Sequence, residues 1–373
     1  MSSPEIQLKE LLQQLTLKDF PAISVAVGKG HHRVWQASAG CCDLQHSIKI
    51  TPDTGFGIGS ITKVFVAVII LQLTEEGLLS LDLPLSHWLE KSFLSGIANA
   101  ETVTVRQLLS HYTGIPSWEN QPAWIGAARG KGIEPEKRWS PAEAIEYIRG
   151  KEPLCRPGEQ FNYSNTNFTL LGLLIERVTQ NSFETELYRR IIGPLALENT
   201  CLAGAALSAP LKIANKYHHA DASFIKNAGL SPWFKPANNN LIDVSANNLS
   251  VEWAAGGIIS TAQDLISFIL ALKNGRLLNA QSWQEMQNWM PADNASMGLS
   301  LFRAETNNGR ATGHGGNVLG FSACAWWYEK TDCAIVILTN LGSMHADPEA
   351  NCASKLFRES EIGRLAQEIC ALS

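Results

Sequence analysis

The sequence predicts an α+β fold: one antiparallel sheet assembled from both ends of the chain and flanked by helices, with a mainly helical insert between. Three observations carry this. Strand-like runs occur near the N-terminus and again after about residue 295, whereas helical patterns dominate the middle. Two of the early runs are joined by Gly28-Lys-Gly30, a hairpin signal. An almost wholly apolar stretch follows Ser60 and ends at Gly77, as a helix buried on every side does. The expected organisation is a sheet-containing subdomain from 1–60 and 255–373, a helical subdomain from 61–254, and an active site at their seam.

Each element has a local reason. Glu5 to Leu15 reads as a helix, and Ala22 to Val27 and Arg33 to Ser38 read as strands. Thr104-Val-Arg-Gln107 and Ser140-Pro-Ala-Glu143 are capping boxes, the second with Pro at the first helical position. Leu170, Leu171, Leu174, Ile175 and Val178 form the apolar face of a further helix. Trp118 to Lys137 and Ala203 to Ser250 are rich in Gly, Pro, Asn and Trp and read as long loops of the kind that build binding sites. Thr261 starts a helix that Asn274-Gly275 ends. Strands are expected at Met297 to Arg303, Phe321 to Tyr328 and Cys333 to Thr339, and a last helix from Pro348 to Ala371.

Composition narrows the function. The 373 residues are 45% hydrophobic and 17% charged, enough for a large core and unlike a disordered chain. With a net charge of −5 and no basic cluster, a nucleic-acid or anionic-membrane surface is not expected. The longest apolar run, Val64 to Leu71, is far shorter than the roughly 20 residues of a membrane span. The N-terminus has no basic start, apolar segment or cleavage site, which predicts a cytoplasmic chain. The eight cysteines include no Cys-x-x-Cys and read as buried thiols. The pair His218-His219 reads as a polar loop, so no metal is expected.

Chemistry is carried by three short motifs. In Ser60-Ile-Thr-Lys63, spacing on a helix puts an amine beside a hydroxyl. A serine hydroxyl needs a base, and a lysine serves if desolvation, a helix N-terminus or a second cation lowers its pKa. The Ser60 backbone N–H can face a developing oxyanion. The same pattern recurs at Ser223-Phe-Ile-Lys226, but without an apolar helix after it, and reads as a solvated loop. In Tyr163-Ser-Asn165, a Tyr of depressed pKa shuttles protons and Asn165 bonds the Lys and a substrate carbonyl; a loop Tyr and a capping Asn would look the same. In Gly313-His-Gly-Gly-Asn317, Gly315 and Gly316 let the backbone approach a ligand. Asn317 N–H offers a second oxyanion donor, and His314 polarises the site or holds a substrate group; a glycine-rich turn with an exposed His is the plainer alternative.

Taken together and in this order, the motifs resemble the serine β-lactamase and penicillin-binding-protein superfamily. The Tyr form of the second and the His form of the third are similar to the class C β-lactamase branch, with its esterases, D-aminopeptidases, D,D-peptidases and acyltransferases. Val105 to Pro116, Ala254 to Asp264, Gly320-Phe321 and Val336 to Leu341 extend the likeness over about positions 15 to 345. The resemblance implies a β-lactamase/transpeptidase-like fold and no cofactor. It implies that Ser60 attacks, Lys63 activates it, Tyr163 moves the proton to the leaving group, Asn165 orients Lys63, and Ser60 and Asn317 form the oxyanion hole.

One departure bears on substrate. Antibiotic-type members carry Lys-Thr-Gly or Lys-Ser-Gly where this chain has His314-Gly315-Gly316, so a permanent cation and a carboxylate-binding hydroxyl are missing. Esterase, peptidase or acyl-transfer chemistry on a small or peptide-like, partly apolar substrate is expected over β-lactam turnover. An acyltransferase or peptide-cyclising enzyme would share the motifs, and a catalytically silent binding or assembly protein should have lost one of Ser60, Lys63 or Tyr163. Trp118, Trp124 and Trp233 fall in loops expected near the cleft, and Trp118 and Trp233 are the candidate substrate contacts; packing of the loops onto the body is an equal alternative for each.

Overall fold

The computed structural model describes residues 3–204, 211–238 and 240–373. Helix α1 (Pro4–Lys18) leads into β1 (Ala22–Lys29), β2 (His32–Asp43) and β3 (Ile48–Lys49). The chain then enters α2 (Thr62–Glu75) and, later, α3 (Asn165–Thr179), α4 (Ala222–Asn227), α5 (Trp253–Gly256) and α6 (Ala262–Lys273). It closes with β4 (Met290–Ala292), β5 (Ala295–Met297), β6 (Phe302–Thr306), β7 (Gly309–Val318), β8 (Phe321–Tyr328), β9 (Cys333–Thr339), α7 (Ala353–Glu359) and α8 (Ile362–Leu372).

The nine-stranded sheet runs β4-β5-β6-β7-β8-β9-β1-β2-β3. Its centre joins the two chain ends, with β1 antiparallel to β9 from Ile23↔Thr339 to Lys29↔Cys333. Alternation in β1 feeds two cores: Ile23, Val25 and Val27 pack with Leu8, Leu12 and Ile369 from α1 and α8, and Ala22 and Ala26 face the core that includes α2 and α6. The antiparallel sheet from both ends, with helices around it, is the α+β arrangement expected from the sequence.

Several local expectations need correction. The stretch 118–137 contains a 3-10 turn at Trp118–Asn120 and a helix at Pro122–Arg129. The stretch 203–250 holds α4 and most of a four-stranded sheet formed by Tyr217–His219, Lys235–Pro236, Leu241–Asp243 and Leu341–Gly342. Its residues 205–210 and 239 lie outside the described residues. Polar composition hid these elements because each is short and held by tertiary pairing. The run Met297 to Arg303 is broken between β5 and β6, where Ser300 takes a φ of 66°. The last helix is two helices, parted where Ser360 is extended. His218 and His219 sit in a strand, and their Nε2 atoms bond the carbonyls of Met344 (2.9 Å) and Asn351 (3.1 Å).

Candidate active site

The site begins with a strand that stops short. Phe56–Gly57 pairs with Ile258–Ser260, and Ile58 N–H donates to Ile258 O at 2.9 Å. The chain then turns through the 3-10 segment Gly59–Ile61 into α2, placing Ser60 at the mouth of a helix whose body is buried. Two glycines permit the approach of β7. Gly59 has φ +53°, and a Cβ there would lie 2.6 Å from Asn317 N. A Cβ on Gly316 would lie 1.9 Å from Ile58 O. In register β6 pairs with β7 only from Gly309 to Gly313, so the 314–318 edge is left to the Ser60 turn and the cleft.

Lys63 is fully buried one turn into the helix, and its Nζ has three partners: Ser60 Oγ at 2.9 Å, Asn165 Oδ1 at 2.7 Å and Ala255 O at 2.6 Å. Two of these can only accept. The Asn165 orientation is set by its Nδ2, which donates to the Glu119 carboxylate. A neutral Lys63 therefore spends two N–H groups on Asn165 and Ala255 and turns its lone pair to Ser60. Burial lowers the Lys63 pKa to about 7, against the opposing pull of Glu119 and Glu252. Desolvation is the largest cause of the shift, and the titratable neighbours are the carboxyl groups of Glu252 and of Glu119, the latter itself raised to about 7 by burial, rather than a second cation.

Asn165 is the first residue of α3 and does not cap it: its side chain is spent on Lys63 and Glu119, and Ser164 holds the cap position. Tyr163 stacks on His111, ring centres 4.1 Å apart, and Lys63 Nζ lies 5.1 Å from the phenol ring centre. His111 is buried and neutral, and its Nδ1 accepts from Ser164 N–H at 3.1 Å, holding the Tyr163 segment in place. The expectation of a depressed Tyr163 pKa is wrong. Burial pushes it up, with Glu119 and Glu252 adding to the rise, and a hydrogen bond with Ser60 is too weak to reverse it. The phenol stays protonated at neutral pH and can move a proton only in a relay.

His314 lies in the middle of β7, not in an exposed turn, and is 3% exposed. Burial and the nearby Lys63 lower its pKa to about 3. Its Nδ1 is 2.5 Å from Gly315 O, which can only accept, so Nδ1 carries the proton and Nε2 is a lone-pair acceptor without a hydrogen-bond partner. Asn317 anchors its side chain on Ser343 (Nδ2 to Oγ, 2.8 Å), turning it away from the Ser60 side.

These residues line a cleft of about 670 Å³ that takes in Ser60, Glu119, Tyr163, His314, Gly315, Gly316 and Asn317. The two expected tryptophan contacts are not part of it. Trp118 is fully buried, its Nε1 donating to Thr169 Oγ1 at 3.0 Å, and Trp233 is 56% exposed elsewhere. Trp124 is buried beside Trp118. Trp118 instead pins its 3-10 turn to α3 so that the next residue, Glu119, reaches Asn165. Glu119 escaped the sequence reading because a lone loop carboxylate has no spacing relation to residue 63. Besides Tyr163, the aromatic lining comes from Phe302 and Trp326 of the sheet and Phe357 of α7.

A serine at a buried helix mouth, a desolvated lysine on its oxygen and a neutral phenol beside both define the class of serine hydrolases that work through an acyl-enzyme. Known proteins place the chain more narrowly. The Beta-lactamase family model matches residues 8–354, and the chain belongs to the β-lactamase family. A D-stereospecific amidohydrolase from Streptomyces sp. superposes with a TM-score of 0.77 at 30% identity, covering 91% of this chain and 94% of that one. D-amino acid amidase from Ochrobactrum anthropi SV3, complexed with D-phenylalanine, shares the fold with a TM-score of 0.81 at 24% identity, covering 99% and 98%. Protein flp of Staphylococcus aureus is 26% identical over 327 residues, 87% of this chain; the chain spans 60% of that relative's length. No helix among the described residues is long and apolar enough to cross a membrane.

Proposed function

We propose that this protein hydrolyses amides of small, partly apolar amino-acid derivatives, with a preference for the D configuration, through an acyl-enzyme on Ser60. The observation that carries the reading is the hydrogen-bond geometry at Lys63, which leaves a neutral amine one acceptor position, aimed at Ser60 Oγ. Neutral Lys63 takes the Ser60 proton as the oxygen adds to the substrate carbonyl. The N–H groups of Ser60 and Asn317 receive the oxyanion. The proton reaches the departing nitrogen through the Tyr163 hydroxyl, and the C–N bond breaks. Water then adds to the ester, giving its proton back along the same relay, and Ser60 is released.

Two features favour an amino-acid amide. Glu119 is a cleft carboxyl group beside the Ser60–Lys63–Asn165 cluster; burial and Glu252 raise it to about 7, and a substrate ammonium group beside it would favour its ionised form. His314 Nε2 is a neutral acceptor, suited to an amide N–H and unsuited to a carboxylate. The likeness to a D-stereospecific amidohydrolase supports the D preference. The test is intact-mass spectrometry and turnover with D- and L-phenylalaninamide, nitrophenyl esters and a cephalosporin. We expect release of ammonia from the D-amide, slower release from the L-amide, and little stable adduct with the cephalosporin. Inertness towards both amides, with esters still cleaved, would transfer the assignment to an esterase.

A further inference from the structure

One of the two acceptors that fix Lys63 is a backbone carbonyl. Ala255 O, 2.6 Å from Nζ, belongs to the turn that forms α5, and the residue that opens this turn is Glu252. The Glu252 carbonyl accepts from Ala255 N–H at 2.7 Å and from Gly256 N–H at 3.1 Å, so its backbone fixes the peptide that faces Lys63. Its side chain folds back over the same turn. A Cβ on Gly256 would lie 3.2 Å from Glu252 Oε2 and 3.6 Å from the carbonyl carbon of Gly59. The glycine therefore lets the carboxylate come up behind the turn that carries Ser60.

Glu252 is buried, and a buried carboxylate needs a partner. Arg129, buried as well and the last residue of the helix Pro122–Arg129, donates its Nη2 to Glu252 Oε1. The guanidinium lies 4.8 Å from the centre of the Trp124 ring, and Trp124 packs on Trp118, the residue before Glu119. Nε and Nη1 of Arg129 have no hydrogen-bond partner among the described residues, so Glu252 is the group that balances this cation in the interior. A buried ion pair adds little to stability over apolar residues of like volume. Its placement matters more. Glu252 opposes the desolvation that lowers Lys63, and it raises both Glu119 and Tyr163. The two imidazoles that feel the Lys63 charge, His111 and His314, are held neutral by burial.

We propose that Glu252, clamped by Arg129, is a positioning residue for Lys63: it orients the Ala255 carbonyl that fixes the amine and places a negative charge behind it. The inference rests on Lys63 acting as the base of the acyl-enzyme reading, and is independent of the amide and of the D preference. Glu252 favours the proton on Lys63 and on Glu119 alike, so removing its charge moves both titrations the same way, downward. Arg129 acts through Glu252, by holding the carboxylate in place.

The test follows the rate of acylation by p-nitrophenyl acetate against pH, together with the urea midpoint of unfolding, in the wild type, Glu252→Gln, Glu252→Asp and the double variant Glu252→Gln/Arg129→Met. We expect the pH midpoint to fall by on the order of one unit in Glu252→Gln, the effect of a unit charge lost from a partly screened interior. Glu252→Asp keeps the charge and should stay close to the wild type. Glu252→Gln leaves Arg129 buried and unpaired, so it should also unfold at lower urea. The double variant removes that cation and should recover most of the urea midpoint while keeping the lowered pH midpoint, which separates charge from folding. Should Glu252→Gln fail to fold, the double variant decides alone. A pH midpoint that is unchanged or raised in the double variant makes the pair a staple of the fold and overturns the proposal, with Lys63 still the base. So does a Glu252→Asp midpoint that falls as far as that of Glu252→Gln. A wild-type rate with no rise around pH 7 overturns both the proposal and the Lys63 reading.

Discussion

The chain carries Ser-x-x-Lys twice, and the two copies end up in opposite surroundings. At Ser60 the lysine is fully buried and its amine has three partners within 2.9 Å. At Ser223 the motif lies on the short helix α4, not in a loop, because Asp221 caps it by accepting from Phe224 N–H at 2.8 Å. There Lys226 is exposed, and among the described residues Ser223 Oγ meets the Asn227 amide at 3.5 Å. Spacing on a helix is common to both. Only the first copy has water removed from the amine and two fixed acceptors to strip it of spare protons, and that is what turns a lysine into a base.

The contrast is broken most severely by exchanging serines. Ser60→Ala should lower amidase turnover by at least about 10⁴-fold and abolish labelling by a fluorophosphonate, whereas Ser223→Ala should change neither. Labelling that survived Ser60→Ala would move the nucleophile elsewhere. Next comes the base: Lys63→Met should cost about 10³-fold in the acylation rate, and Lys226→Met nothing measurable.

The pH dependence sharpens the same point. A lysine lowered to about 7 is protonated, and blocked, below that pH, so acylation by a neutral ester such as p-nitrophenyl acetate should climb through about pH 7 and level off above it. Glu119 favours the charged amine, so Glu119→Gln should move the midpoint of that curve downward. An upward move, or none, would show that Glu119 does not act on Lys63 through charge.

The smallest effects separate a buried from an exposed tryptophan. Trp118→Phe removes the bond to Thr169 and part of a filled site, and should cost about 1–3 kcal/mol in denaturant unfolding. Trp233→Ala should stay within about 0.5 kcal/mol and leave KM untouched. A KM change at Trp233 would bring that loop back to the cleft.

Much of this arrangement was legible before any coordinates. The hairpin β1–β2, strands β8 and β9, both capping boxes and the apolar helix after Ser60 follow from signals lying within a few residues of one another. The short strands between 217 and 243 and the break at Ser360 were not, because their stability comes from partners far along the chain. Three motifs pointed to Ser60, Lys63, Tyr163, Asn165 and His314, and the structure sets these around one cleft or directly against it.

Sequence by itself determined which functional groups exist and in what order: a hydroxyl, an amine, a phenol, an amide and an imidazole, carried on elements whose type local patterning dictates. Tertiary structure decided their state. It desolvated Lys63, kept Tyr163 protonated, made His314 a neutral acceptor, sent Trp118 into the core and put Glu119 on the cleft wall. The reason is physical: a protonation state depends on the water and charge within a few ångströms, and here those neighbours come from stretches far apart along the chain, 46 residues between Glu119 and Asn165 and 192 between Lys63 and Ala255.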